Sequence, residues 1–151
     1  MKTSIRLLTL AGALCAGLFT TSAADKHDHA HLATPKGGRV LDKTTPHAEV
    51  VFEKDRSFTV NFYNDALNPV AATSQTATVI ASAKGGKTTI EFERKGDSLV
   101  SKTKLPEGDG YNIVVQFRQT AEAKPQNFRF KLELYTCGGC KRAEYACTCD
   151  H

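Results

Sequence analysis

The chain has 151 residues, 40% hydrophobic and 24% charged, with a formal net charge of +4. That length fits one domain, and so small and scattered a charge marks no nucleic-acid-binding surface. Trp is absent and Met occurs once, which excludes a methionine-rich copper site. No Walker A sequence or Gly-x-Gly-x-x-Gly turn is present, and past the N-terminus no apolar run nears the roughly 20 residues that span a bilayer, so an integral membrane protein is not expected.

Residues 1–24 read as an export signal. Lys2 and Arg6 give the basic start, Leu7 to Phe19 an apolar stretch too short to cross a bilayer, and Ser22, Ala23 and Ala24 a small-x-small cleavage site. Lipidation at Cys15 is disfavoured by the bulk of Leu14 before it. Cleavage after Ala24 removes Cys15 and leaves four cysteines, an even number that permits two disulfides in an exported chain. The periplasm is the expected location, with secretion as the alternative.

Residues 25–36 are polar, without apolar periodicity, and read as a mobile tail carrying His27, His29 and His31. Cleavage after Ala24 would make Asp25-Lys26-His27 the new amino terminus. Its free amine, two backbone amides and the imidazole of His27 can then set four nitrogens in a plane, a geometry that selects Cu(II) or Ni(II). These three residues resemble the amino-terminal copper and nickel site of serum albumins. In an extended chain His29 and His31 share a side with His27, and Asp25 and Asp28 add oxygen ligands.

Residues 37–136 read as strands. Phe58, Val60 and Phe62 alternate with polar neighbours, as do Ile90 and Phe92, then Tyr111, Ile113, Val115 and Phe117, then Phe128, Phe130, Leu132 and Leu134. Weaker runs cover 39–41, 48–53, 76–82 and 97–102. The segments Lys84-Gly85-Gly86-Lys87, Lys95-Gly96-Asp97, 106–110 and Lys124-Pro125-Gln126 are turns, and 64–69 is a loop. No stretch shows a helical stripe. Seven or eight short strands with regular turns predict an antiparallel β-sandwich, with a small barrel as the alternative. His47, after Pro46, reads as a surface or capping histidine.

Residues 137–151 hold all four remaining cysteines in the pattern C-x2-C-x6-C-x-C, followed by His151. Gly138 and Gly139 let the chain turn tightly, and Lys141 and Arg142 favour thiolate over thiol. Three chemistries fit Cys137, Cys140, Cys147 and Cys149. Four thiolates suit Zn(II) or Cu(I), with His151 as an added ligand. The short C-x-C half tilts the choice toward Cu(I) or a mixed Cys/His zinc site. Two disulfides are the second: Cys147–Cys149 would be strained, so Cys137–Cys149 with Cys140–Cys147 is the better pairing. Thiol–disulfide exchange by Cys137 and Cys140 is the third, but the thioredoxin-like context it needs is missing.

Gly37-Gly38-Arg39-Val40, Pro46-His47-Ala48-Glu49-Val50-Val51-Phe52 and Phe62-Tyr63-Asn64-Asp65-Ala66 resemble the opening of small exported bacterial β-sandwich domains found with heavy-metal efflux and copper resistance. The resemblance spans residues 37–66. It implies an immunoglobulin-like fold and a periplasmic metal context, with ligands from an amino-terminal histidine and from the sandwich; here only His27 and His47 could correspond, and the cysteine cluster is no part of that pattern.

The sequence therefore predicts an all-β, immunoglobulin-like antiparallel sandwich between a His-rich N-terminal tail and a Cys-rich C-terminal tail. Its predicted function is to bind or buffer copper or zinc, with the metal ion and a periplasmic efflux or other protein as partners. No Ser/His/Asp order, paired carboxylates in an apolar pocket or H-E-x-x-H helix is present, so no enzyme is expected. The alternative is a disulfide-stapled interaction module without metal.

Overall fold

The computed structural model describes residues 34–108 and 110–149. The export signal, Asp25, Lys26, His27, His29, His31 and His151 lie outside the described residues. Among the described residues the chain forms nine strands: β1 (Arg39–Leu41), β2 (His47–Phe52), β3 (Phe58–Tyr63), β4 (Pro69–Val70), β5 (Thr76–Ala83), β6 (Gly86–Lys95), β7 (Ser98–Ser101), β8 (Tyr111–Arg118) and β9 (Gln126–Leu132). All pairings are antiparallel, in the order β1-β2-β3-β7-β6-β5-β8-β9, with the two-residue β4 set against β3. No helix of the described residues is long and apolar enough to cross a membrane.

The ten residues of β6 join the two halves of the sheet. Gly86 to Glu91 pair with β5, and Phe92 to Lys95 pair with β7. The sheet folds over along this strand, so that Phe62 of β3 and Phe117 of β8, four places apart in the order, bring their rings to 6.2 Å. In an immunoglobulin domain the second and third strands lie in opposite sheets; here β2 and β3 are hydrogen-bonded neighbours over their whole length.

Period-2 alternation builds the core. Val50, Phe58, Val60, Val79, Ala81, Ile90, Ile113, Val115 and Phe117 are buried between the halves. The alternation fails in two places. Asn61 and Tyr63, expected in water, are buried, because residues 34–38 cross the outer face of β2 and β3. Thr34, expected in a mobile tail, is only 3% exposed. The strap is fastened to the buried carboxylate of Glu49: Oε1 accepts from the Thr34 hydroxyl (2.6 Å) and the Gly38 N–H (2.5 Å), and Oε2 from the Tyr63 hydroxyl (2.7 Å). Burial and this bond to Glu49 hold the Tyr63 phenol well above its ordinary pKa. Only glycine fits at position 38, since a Cβ there would stand 2.4 Å from the Val50 carbonyl oxygen. The second failure is Leu134. It continues the β9 alternation in sequence, yet the strand ends at Leu132 and Leu134 is 46% exposed.

The terminal strands β1 and β9 meet across a seam without pairing. Arg39 of β1 lays its guanidinium over the Phe130 ring of β9, 5.9 Å from the centroid. β1 is too short to cover β2: its last partner there is Val50, opposite Arg39, which leaves Val51 and Phe52 beyond it.

Candidate metal centre

The chain that follows β9 fills the seam. Beyond Leu132 it turns and doubles back as a tight hairpin. The N–H groups of Tyr145, Glu144 and Cys137 donate to the carbonyls of Glu133 (3.0 Å), Tyr135 (2.9 Å) and Arg142 (2.8 Å), and Thr136 bridges Ala143. A 3-10 turn over Glu144–Ala146 then brings Cys147 round. Tyr145 and Ala146 are buried and belong to the core. The Tyr145 ring stacks on Phe130 at 6.0 Å, and its hydroxyl accepts the Phe52 N–H at 3.0 Å. That N–H lies on the side of β2 that β1 does not reach, so Tyr145 satisfies a half-buried backbone donor that β1 leaves without a strand partner. The boundary drawn at residue 136 thus runs through a packed hairpin.

The tip of the hairpin is Cys137-Gly138-Gly139-Cys140-Lys141. The Lys141 N–H donates to the Cys137 carbonyl (3.2 Å). Lys141 itself sits at φ 62°, a left-handed conformation uncommon for a residue with a side chain, and its Nζ reaches the Gly138 carbonyl at 2.7 Å. The two glycines differ in role. A Cβ on Gly138 would meet nothing, whereas one on Gly139 would stand 2.9 Å from the Cys149 Sγ and 3.9 Å from that of Cys137. Gly139 is the floor on which the Cys149 sulfur rests.

The turn and the Cys147-Thr148-Cys149 arm together gather the four sulfurs. Cys147 lies 3.3 Å from Cys137 and 3.7 Å from Cys140, and Cys137 lies 3.9 Å from Cys149. All four Sγ atoms fall within 4.8 Å of one another, and none is disulfide-bonded. A tetrahedral zinc with Zn–S bonds of about 2.3 Å spaces its sulfurs about 3.8 Å apart; the distances found bracket that value. Among the described residues no other set of three or more His, Cys, Asp or Glu is arranged to hold an ion. Cys137 is buried, while the other three are half-buried.

The electrostatics of the cluster also favour a cation. The backbone N–H groups of Thr148 and Arg142 point at the Cys140 sulfur and hold its thiol down to about 6. The Cys149 N–H, 3.3 Å from the Cys147 sulfur, favours that thiolate too, but burial and the neighbouring sulfurs outweigh it and push Cys147 up to about 12. Cys149 is likewise raised: its bond with Cys147 favours the thiolate, and Cys137, burial and Cys140 prevail. Like charges this close cannot all form unless something positive stands among them.

The structure therefore brings together Cys137, Cys140, Cys147 and Cys149 of the residues predicted to bind metal. His47 lies apart in β2, its Nε2 3.4 Å from a carboxylate oxygen of the exposed Asp65. Tyr145 was not visible as a site residue in the sequence; its one signal is that it is the only aromatic side chain in residues 137–151. Comparisons of the chain with protein-family models, with curated proteins and with solved structures found no match.

Proposed function

We propose that this chain is an exported metal-binding protein in which Cys137, Cys140, Cys147 and Cys149 hold one ion, zinc by preference, with Cu(I) as its competitor. The observation that carries this reading is the set of four unbridged sulfurs within 4.8 Å of one another. Four like donors around one point suit Zn(II), which fills a tetrahedral shell without further geometric demands; Cu(I) takes the same soft ligands. A zinc with four protein ligands keeps no open position for a substrate, so the role is binding rather than catalysis. Three half-buried sulfurs leave the ion open to a competing chelator, which suits a buffer that gives up and takes back its metal.

In the same reading, cleavage after Ala24 frees Asp25, and Asp25, Lys26 and His27, with His29 and His31 behind them, take Cu(II). His151, two residues past Cys149 in sequence, is an added ligand for the mixed Cys/His form of the site, in place of one of the cysteines. The protein works in the periplasm, and its partner is an efflux or other periplasmic protein that exchanges the ion.

Native mass spectrometry of the reduced protein, titrated with zinc and separately with Cu(I) under anaerobic conditions, tests the cluster. One zinc per chain is expected, and none when all four cysteines are serine. Zinc retained by the serine variant, or refused by the wild type, overturns the assignment.

A further inference from the structure

The same four sulfurs lie close enough to bond with one another, and that closeness supports a second chemistry. Four cysteines can form two disulfides in three ways. The way that joins Cys147 to Cys149 must bridge alternate residues. In extended backbone their Cα atoms stand about 6.6 Å apart, near the upper limit a disulfide spans. Of the other two ways, one begins from the shortest separation, Cys147 to Cys137 at 3.3 Å, but the Cys140 and Cys149 it must also join are held only within the 4.8 Å that bounds the cluster; the other has both of its pairs at 3.9 Å or less. Cys149 rests on Gly139 beside Cys137, at 3.9 Å, and Cys140 faces Cys147 at 3.7 Å. Closing each pair to a bond of about 2 Å shortens each separation by less than 2 Å.

We propose that the cluster is an oxidant-responsive site: hydrogen peroxide converts it to the disulfides Cys137–Cys149 and Cys140–Cys147 and so discharges its ion. In each pair one thiolate sulfur attacks a peroxide oxygen, the O–O bond breaks, and hydroxide leaves a sulfenic acid. The facing thiolate displaces the second hydroxide from that sulfur and the S–S bond forms. Each disulfide gives two electrons to one peroxide. Two peroxides therefore take four electrons from the thiolates, the four hydroxides released take four protons from solvent and become water, and Zn(II) is left without thiolate ligands. Discharge of the ion rests on the metal-binding reading above; the disulfide pairing does not.

What makes this a switch rather than damage is the position of Tyr145. Both new bonds tie the Cys137–Cys140 turn to the Cys147–Cys149 arm, as the ion does. Tyr145 lies between Cys140 and Cys147 in the chain, so its contacts with Phe52 and Phe130 are held in either state. The docked hairpin outlasts the loss of the metal, and a dithiol reductant restores the thiolates.

Zinc-loaded protein is treated with measured hydrogen peroxide while a chromogenic chelator reads free zinc. Peptide mapping then assigns the disulfides, and hydrogen exchange follows the Phe52 amide. The expected results are one zinc released per two peroxides, a mass lower by four hydrogens, the two named pairs, continued protection of Phe52, and rebinding of zinc after dithiothreitol. Retention of zinc and free thiols at several equivalents of peroxide overturns the proposal. So does release accompanied by sulfinic acids, any other pairing, or exposure of the Phe52 amide. The same treatment of reduced, zinc-free protein separates the two readings. Named pairs in a chain that never bound zinc sink the metal assignment alone, whereas zinc binding without the pairs sinks the oxidant response alone. A Cys149→Ser variant is expected to form only the Cys140–Cys147 disulfide, with Cys137 left unbridged; formation of a disulfide at Cys137 in that variant counts against the pairing.

Discussion

Two polar clusters sit in this molecule, and they are built in opposite ways. The Glu49 carboxylate is buried without a basic side chain among its hydrogen-bond partners, yet a hydroxyl from Thr34, a hydroxyl from Tyr63 and the Gly38 N–H all donate to it. The cluster is closed: each acceptor oxygen has a donor from the protein itself. The four sulfurs face one another instead. The N–H groups of Cys149, Thr148 and Arg142 ease part of their charge, but Cys147 and Cys149 still resist ionisation. A cluster satisfied from within is architecture. One whose electron-rich atoms crowd together is an invitation to a cation.

Five substitutions would break or sharpen that contrast. Glu49→Ala should have the largest effect on folding. It strands three buried donors at once and should lower stability by about 3–5 kcal/mol, read by urea denaturation, with zinc stoichiometry unchanged in the protein that remains folded. Gly139→Ala should do the reverse. Its Cβ meets the Cys149 sulfur, so zinc affinity should fall by about tenfold or more with little change in the unfolding midpoint of the metal-free form. Gly138→Ala, where a Cβ has room, should leave the affinity alone; equal losses at the two positions would show that the turn, not the sulfur cradle, is the sensitive part.

Tyr145→Phe probes the link between the two regions. It keeps the ring on Phe130 but leaves the Phe52 N–H unpaired, at a cost of about 1–2 kcal/mol. Faster exchange of the Phe52 amide checks it, and zinc affinity should stay within about threefold. The smallest effect is expected at Asp55, an exposed carboxylate that serves as a control. Hydrogen bonds from the Ser57 hydroxyl and N–H, and Lys104 beside it, hold its pKa down to about 2. Since that pKa lies below its ordinary 3.8, its contribution is present above pH 4 and fades as the pH falls through 2. The gap between wild type and Asp55→Asn in thermal melts should close over that interval, and a gap that widens toward acid would refute the sign.

Much of the fold was legible because one face of each strand meets the core. Phe58, Val60 and Phe62, and Ile113, Val115 and Phe117, are buried in the alternation the sequence displays. The cysteine cluster was legible because spacing this short leaves four sulfurs little room to separate. What alternation cannot reveal is a second layer. Asn61 and Tyr63 look solvent-facing by period, and they are buried because a strap from another part of the chain crosses them. Leu134 keeps the period after its strand has ended, since hydrogen bonding from Tyr145 to Glu133 turns the chain into a hairpin that no local pattern announces. Tyr145 has no periodic neighbours, and its importance comes from a backbone N–H 93 positions away.

The bond between Tyr145 and Phe52 also sets an order of events. Every strand is synthesised before Tyr145 is, so a nascent chain that has released β9 but not the hairpin carries the end of β2 as a bare sheet edge, ready to pair with a neighbouring polypeptide. The hairpin is the cover for that edge. The sheet becomes safe from such pairing only when its final turn has emerged and docked.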